Sequence, residues 1–362
     1  MKIEKVESLK SQFGDRKTIP LITQREAIDR ALEYIKGRKD GTITSIKTGL
    51  KKLDEYTMDG LEYNKIFSIA ALSSHGKSAL SKKLRNGIAY LNDNVKQLCF
   101  GFEMEAREQI DRTIASDLTI DLKKLYSVSE NLSDNDFKLV QTHVNTALKN
   151  KDIVYVEETN NVDTIINTIY SYWLQECAEK DLTLVVEIDH ILLTKGKDGQ
   201  TEKSKIDELM EKCNTLKQYI ATQGGRILII CLSQMNRNIR GSSELELREP
   251  DTEDLFGSSY IEQFSHYIMF QYIPFKLRCK HYTENKYPTY IKYVSQSKKW
   301  DSFKVPFIFH HLRKNRSGAT PEYPAIYLSN LKHFDITEIP KDEMAEYWTE
   351  FRDKGELIRY KD

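Results

Sequence analysis

KIFSIAALSSHGKSALSKKLRNGIAYL, residues 65–91, decides the fold. The apolar run Ile66-Phe67-Ser68-Ile69-Ala70 predicts a buried strand over 66–71, and Lys77 to Leu91 predicts a helix. Between them lies a short loop, ALSSHGKS at 71–78, ending Gly-Lys-Ser. Strand, tight loop and helix N-terminus together make an anion cradle, because the first helical N–H groups are unpaired and the dipole is positive there. Gly76 lets the backbone close on a phosphate, Lys77 supplies a point charge and the Ser78 hydroxyl suits Mg²⁺. Ser73, Ser74, His75, Gly76, Lys77, Ser78 and Ala79 are therefore the candidate nucleotide-binding residues. Ala71 stands where the full motif has its first Gly.

Outward from the loop, strand-like and helical segments alternate. Strands are predicted at 66–71, 96–102, 152–156, 182–189 and 226–232, with helices at 77–91, 106–117, 134–148, 162–178 and 203–222. Such alternation predicts an α/β fold, a mostly parallel sheet flanked by helices. After residue 265, HYIMFQYI, YPTYIKYV, VPFIFHHL and YPAIYLS read as antiparallel additions to the sheet edge, with a last helix near 341–353. Thr23 and Glu26 form a capping box for a helix over 23–36, with Ile28, Ala31, Leu32 and Ile35 on one face and GRKDGTITS as a linker. The expected organisation is an arm at 1–22, a linker helix and linker at 23–45, the nucleotide-binding domain at 46–335 and a terminal helix and tail at 336–362.

The chain has 362 residues, 30% charged and 40% hydrophobic, with 54 Lys+Arg balancing 54 Asp+Glu. That balance argues against an extended basic surface, although a narrow channel shared by subunits needs few cations. No apolar run approaches the ~20 residues of a membrane helix, and the polar N-terminus has no signal-peptide core. No membrane association and a cytoplasmic location are expected. Cys99, Cys177, Cys213, Cys231 and Cys279 lack metal-ligand spacing and read as buried thiols.

Three strand ends carry further chemistry. Asp189 ends LVVEIDH, where a carboxylate faces the ligand crevice and can hold Mg²⁺; Glu187 lies deeper and reads as structural. Glu103 follows FGF on what is expected to be the strand next to the phosphate loop, placed to orient and deprotonate water. Gln234 ends CLSQ, where an uncharged amide can sense a γ-phosphate; Arg237 and Arg240 follow as candidate phosphate or nucleic-acid contacts. Lys314 and Arg316 precede Gly318, either as an ordinary solvated turn or as fingers reaching a phosphate.

In this order the motifs TGLKKLDEYTMDGLEYNKIFSIAALSSHGKSAL, FGFEMEAREQI, LVVEIDHILL, ICLSQMNR, DTEDLFGSSYIEQFSHYIMF and LRKNRSG resemble the helicase domain of DnaB-type replicative hexameric helicases, a RecA-like ATPase family, over roughly residues 25–335. The resemblance implies a RecA-like P-loop core and 5′–3′ ATP-dependent movement along one strand of forked DNA. Lys77 and Ser78 would bind phosphate and Mg²⁺, and Asp189 the metal. Glu103 would be the base, Gln234 the γ-phosphate sensor, and Lys314 with Arg316 the fingers in a neighbouring subunit's site. It implies ATP and Mg²⁺ as cofactors, a homo-hexamer, a primase and a helicase loader as partners, and the cytoplasm of a bacterium or phage-infected host. The helix at 23–36 would dock on the adjacent subunit. With about 22 residues before that helix, a minimal form without the family's N-terminal domain is expected.

The resemblance weakens at the DNA-facing loops. Where the family has Asp-Leu-Arg-Glu-Ser-Gly, this chain has Asp254-Leu255-Phe256-Gly257-Ser258-Ser259, leaving Gly257, Ser258 and Ser259 as candidate DNA contacts. Lys195, Lys197, Lys203 and Lys205 after Asp189 are alternative channel cations, or a solvated loop. Residues 274–304 are basic and aromatic and read either as a nucleic-acid surface or as packing. Two rivals stand beside the helicase reading: a RecA-like DNA-dependent ATPase that does not unwind, and a nucleotide-binding replication scaffold.

Overall fold

A computed structural model describes residues 21–149, 151–197, 199–236, 248–257, 259–279, 281–283, 287–295, 302–330 and 335–361. Two compact units divide the chain, residues 1–44 and 45–362. In the first, helix α1 (Gln24–Asp40) begins at the capping box: the Thr23 hydroxyl accepts from the Glu26 amide, and the Glu26 carboxylate accepts from the Thr23 amide. The helix runs a turn beyond the expected end at residue 36. Arg38 and Lys39 favour its last turn, and Gly41 at φ 72° supplies the left-handed cap. Ile28, Leu32 and Ile35 are exposed.

The second unit is built on one sheet. Its strands are β1 (Lys65–Ala71), β2 (Val95–Gly101), β3 (Ile153–Val156), β4 (Thr183–Asp189), β5 (Arg226–Gln234), β6 (Tyr267–Tyr272), β9 (Tyr290–Ser295), β10 (Ser302–Asn315), β11 (Ala325–Asn330), β12 (Asp335–Glu338) and β13 (Ile358–Lys361); β7 (His281–Tyr282) and β8 (Tyr287–Pro288) form a separate hairpin. The spatial order is β12-β11-β10-β6-β1-β5-β4-β2-β3, with β9 on β10 and β13 on β9. Helices α2 (Lys51–Tyr56), α3 (Lys77–Leu91), α4 (Ala106–Asp117), α5 (Leu122–Tyr126), α6 (Asp134–His143), α7 (Val162–Glu176), α8 (Glu202–Thr222), α9 (Ser259–Phe264) and α10 (Lys341–Lys354) complete it. The predicted helix at 134–148 is α6 followed by a π-turn over 144–148.

Alternation along β1 explains the layering. Ile66 and Ala70 join a core with Ile165, Ile169 and Trp173 of α7 and Ile206, Leu209 and Met210 of α8. Phe67 and Ile69 point the other way, onto Leu53 of α2 and Leu80, Leu84 and Ile88 of α3. Burial on both faces is why the central strands read as unbroken apolar runs. Helix α3 approaches the chain before β1 so closely that a Cβ on Gly87 would stand 2.1 Å from the Thr48 carbonyl oxygen.

Two expectations are corrected by this topology. HYIMFQYI is not an antiparallel edge strand: β6 lies beside β1 and runs parallel to it, and antiparallel pairing begins at β10. Nor is β2 next to the phosphate-loop strand, since β5 and β4 stand between them. The aromatics of the 274–304 segment pack on one another, Phe275 on Tyr290 at 5.2 Å and Tyr293 on Phe303 at 5.2 Å. All five cysteines are buried free thiols.

Candidate functional site

A cleft of about 370 Å³ opens at the C-terminal end of β1. It is lined by Ser73, Ser74, Gly76, Lys77, Ser78 and Ala79, and by Glu103 and Gln234. Gly76, at φ 82°, is the left-handed cap of α3, so the amides of Lys77 and Ser78 have no acceptor within the helix. Its floor is polar because three strands end there: Gln234 pairs with Ala71 across β5–β1, and the Phe102 amide donates to the Asp189 carbonyl at 2.9 Å across β2–β4. That last bond carries Glu103 to the cleft although its strand is third from β1.

Lys77 Nζ stands 3.7 Å from Asp189 Oδ1, and both side chains are largely buried. Burial pushes the Lys77 ammonium down and the Asp189 carboxyl up, and each opposes the other's shift by its charge. Asp189 Oδ1 has no hydrogen-bond partner among the described residues. Ser78 and Asp189 border the same small cavity beside the cleft. A buried, unsatisfied carboxylate oxygen with a hydroxyl nearby suits a hard cation such as Mg²⁺, which takes one or two protein oxygens and completes its shell with phosphate and water. Among the described residues no cluster of three or more His, Cys, Asp or Glu could hold a metal alone.

Glu103 is half exposed, with Oε2 3.9 Å from His190 Nε2. Burial, then the charges of Lys77 and Lys205, push His190 down to about 4, so the pair is not ionic at neutral pH. Below the cleft, Glu187 is buried as expected: it faces Arg85 at 3.4 Å and accepts from the Ser81 hydroxyl at 2.7 Å.

His75 departs from expectation. Its side chain is 2% exposed and turns away from the cleft, with Nδ1 accepting from the Ile273 amide at 3.0 Å. Two residues that sequence reasoning passed over line the cleft instead, Arg112 on α4 and Lys276 after β6. Arg112 had a signal: it lies nine residues beyond Glu103 in a helix that starts at the cleft. Lys276, whose Nζ donates to the Ser74 carbonyl, had none, because the fold brings it from 202 residues away.

Lys314 and Arg316 lie at the opposite end of the strands. His310 of β10 is in register with Gln271, and Gln271 with Ala71 at the cleft; Asn315 is in register with Tyr267, and Tyr267 with Phe67. Four residues of strand, about 13 Å at ~3.3 Å each, separate these two ends. There the Lys314 ammonium donates to the Glu262 carbonyl and Arg316 to the Gln263 carbonyl at 2.9 Å.

Of the candidate DNA contacts, Lys203, Gly257 and Ser259 border one open cleft together with Glu253 and Glu262. The loop is zipped to β5, with the Phe256 amide donating to the Gln234 carbonyl at 3.0 Å. Lys197 is held by Glu208 at 2.8 Å and Asp163 at 3.5 Å, and the Lys205 ammonium by the Leu192 carbonyl at 2.7 Å, so neither stands as a free cation. Lys195 is exposed and its amide donates to the Asn160 carbonyl at 3.0 Å. Arg237, Arg240 and Ser258 lie outside the described residues.

The family model of the DnaB-like helicase C terminal domain matches residues 45–336. The chain is 24% identical over 257 residues to "Replicative DNA helicase DnaB" of Leifsonia xyli subsp. xyli (strain CTCB07), covering 70% of this chain and 52% of the relative. It therefore spans about half the length of the curated relative it matches. Among solved structures, an isolated ATPase domain superposes with a TM-score of 0.70 at 18% identity, over 89% of this chain and 100% of that one. "The Structure Of A DnaB-Like Replicative Helicase And Its Interactions With Primase" gives 0.69 at 19% identity, over 93% and 71%. The shared fold is the mostly parallel, helix-flanked sheet with antiparallel strands toward the C-terminus.

Proposed function

The chain belongs to the DnaB-like helicase C-terminal domain family, and from that premise we propose that it is an ATP-driven replicative DNA helicase acting as a homo-hexameric ring that moves 5′–3′ on single-stranded DNA and opens forked duplex. The observation carrying this reading is the separation of its two cationic ends: Lys77 with Arg112 at one end of the strands, Lys314 with Arg316 at the other. A chain so built holds half a hydrolytic site at each end, and a ring completes every site from two neighbours.

In this reading the amides after Gly76 and the Lys77 ammonium bind the phosphates, and Ser78 and Asp189 hold Mg²⁺. ATP with Mg²⁺ supplies the phosphoryl group to be transferred and part of the charge neutralisation. Glu103 orients water and takes its proton, and Gln234 hydrogen-bonds the γ-phosphate. Lys314 and Arg316 offset developing negative charge in the next subunit's site. The Gln234 carbonyl's bond to the Phe256 amide links that sensor to the 254–259 loop, assigned to DNA with Lys195 and Lys203. Arg237, Arg240 and Ser258 keep the same assignment by position in the chain. The exposed Ile28, Leu32 and Ile35 stripe of α1 serves docking on a neighbouring subunit. A sequence-independent track requires backbone grip of this kind. A primase and a loader are the partners assigned, and the cytoplasm the location; no helix among the described residues is long and apolar enough to cross a membrane.

Subunit mixing tests the shared site. K77A and R316A proteins should each be nearly inactive in DNA-stimulated ATP hydrolysis. Mixed before assembly they should regain a fraction of activity, because some interfaces receive an intact loop from one chain and an intact finger from the other. R316A rings that hydrolyse like wild type refute the shared site. Hydrolysis without displacement of a forked strand selects the non-unwinding ATPase.

A further inference from the structure

The phosphate loop has an awkward backbone. Ser74 at φ 66° and Gly76 at φ 82° flank His75, so a non-glycine residue is held in the left-handed region. Such a conformation costs about 1–3 kcal/mol and persists only where its surroundings over-determine it. Those surroundings are Gln271 to Lys276. Gln271 Nε2 donates to the His75 carbonyl at 2.6 Å, the Ile273 amide donates to His75 Nδ1 at 3.0 Å, and Lys276 Nζ donates to the Ser74 carbonyl. The Tyr272 ring stacks on the imidazole, centroids 5.7 Å apart.

The chain of donors continues one strand further. A carbonyl can only accept, so Gln271 must present its NH₂ to His75, which leaves Oε1 to accept from His310 Nε2 at 2.9 Å. His310 is thereby neutral with its proton on Nε2, and its buried Nδ1 has no partner among the described residues. His75, Gln271 and His310 are 2%, 0% and 2% exposed, so no water competes for these bonds. His310 stands on β10, the strand that ends in Lys314 and Arg316.

We infer that His75, Gln271 and His310 are positioning residues: a buried hydrogen-bonded clamp that sets the geometry of the phosphate loop and registers it against the strand carrying Lys314 and Arg316. The clamp touches no ligand. It aims the amides after Gly76 before phosphate arrives, and pre-set geometry is what nucleotide affinity draws on. The inference rests on the reading of residues 73–79 as the phosphate loop, and K77A tests that reading separately.

The experiment measures binding of a fluorescent ATP analogue and KM against kcat for ATP, on the full chain, alongside thermal midpoints. H75L should weaken affinity about tenfold, the worth of a lost buried hydrogen bond to backbone. H75N, whose side-chain oxygen can accept from the Ile273 amide, should restore it to within about twofold on the same basis. Q271L should weaken binding, and Q271L/H310L should weaken it no further, because His310 acts through Gln271. Should H75L fail to fold, H75N and Q271L carry the test. A lowered midpoint with unchanged affinity in H75L or Q271L makes these residues packing only and overturns the clamp, as does full additivity in the double variant. Unchanged binding in K77A overturns the loop assignment itself and the clamp with it. Loss in K77A with wild-type affinity in Q271L overturns the clamp alone.

Discussion

Lys77 Nζ and Asp189 Oδ1 face each other at 3.7 Å across the floor of the cleft, too far for a hydrogen bond and close enough for each charge to sustain the other. The gap leaves Asp189 Oδ1 unsatisfied among the described residues. D189N keeps the shape, removes the charge and leaves Lys77 without its counter-ion. It should cut ATP hydrolysis at least a hundredfold, on the scale of one lost charge-stabilising group. Its steady-state rate should also respond weakly to added Mg²⁺; a wild-type Mg²⁺ dependence counts against Asp189 as a metal ligand.

Glu103 reaches the cleft from the third strand over, so its carboxylate can be altered without touching the phosphate loop. E103Q should lower kcat by about 10²–10⁴, the usual worth of a positioned general base, and leave nucleotide affinity near wild type. A rate within threefold of wild type eliminates Glu103 as the base.

Arg85 and Glu187 form a pair 3.4 Å apart with side chains 4% and 6% exposed. Burial works against the Arg85 charge and Glu187 more than restores it. E187L strands a buried cation and should cost about 3–5 kcal/mol in denaturant unfolding, while R85M/E187L should recover most of that loss. Equal losses in the single and double variants contradict this account.

Several histidines are held neutral by burial. His310 is pushed from 6.5 down to about 3, by burial and then by the charge of His311, and His266 likewise to about 3. Between the two values the unfolded chain binds protons that the folded chain refuses. Stability is therefore complete above pH 6.5 and falls as the pH drops toward 3. The buried His310 should contribute a slope of up to ~1.4 kcal/mol per pH unit in that window. Urea midpoints at pH 7.5 and pH 5 check this, and H310L should show the shallower dependence. An unchanged slope in H310L assigns the acid sensitivity to other groups.

What the amino-acid sequence determined by itself was local and periodic. The strand, loop and helix over 65–91, the capping box at Thr23, and the strand-end positions of Asp189 and Gln234 were legible because each rests on neighbours within a few residues. The direction of β6, the two strands between β1 and β2, and the inward turn of His75 were not. Neither were the cleft-lining Arg112 and Lys276, nor the carboxylates that tie down Lys197. These depend on pairings between segments up to about two hundred residues apart, such as Lys276 with Ser74. Periodicity says that a strand is buried, but hydrogen bonding is the same in kind whichever strand lies beside it. Only packing of the whole chain chooses the neighbour, and with it which side chains meet at the site.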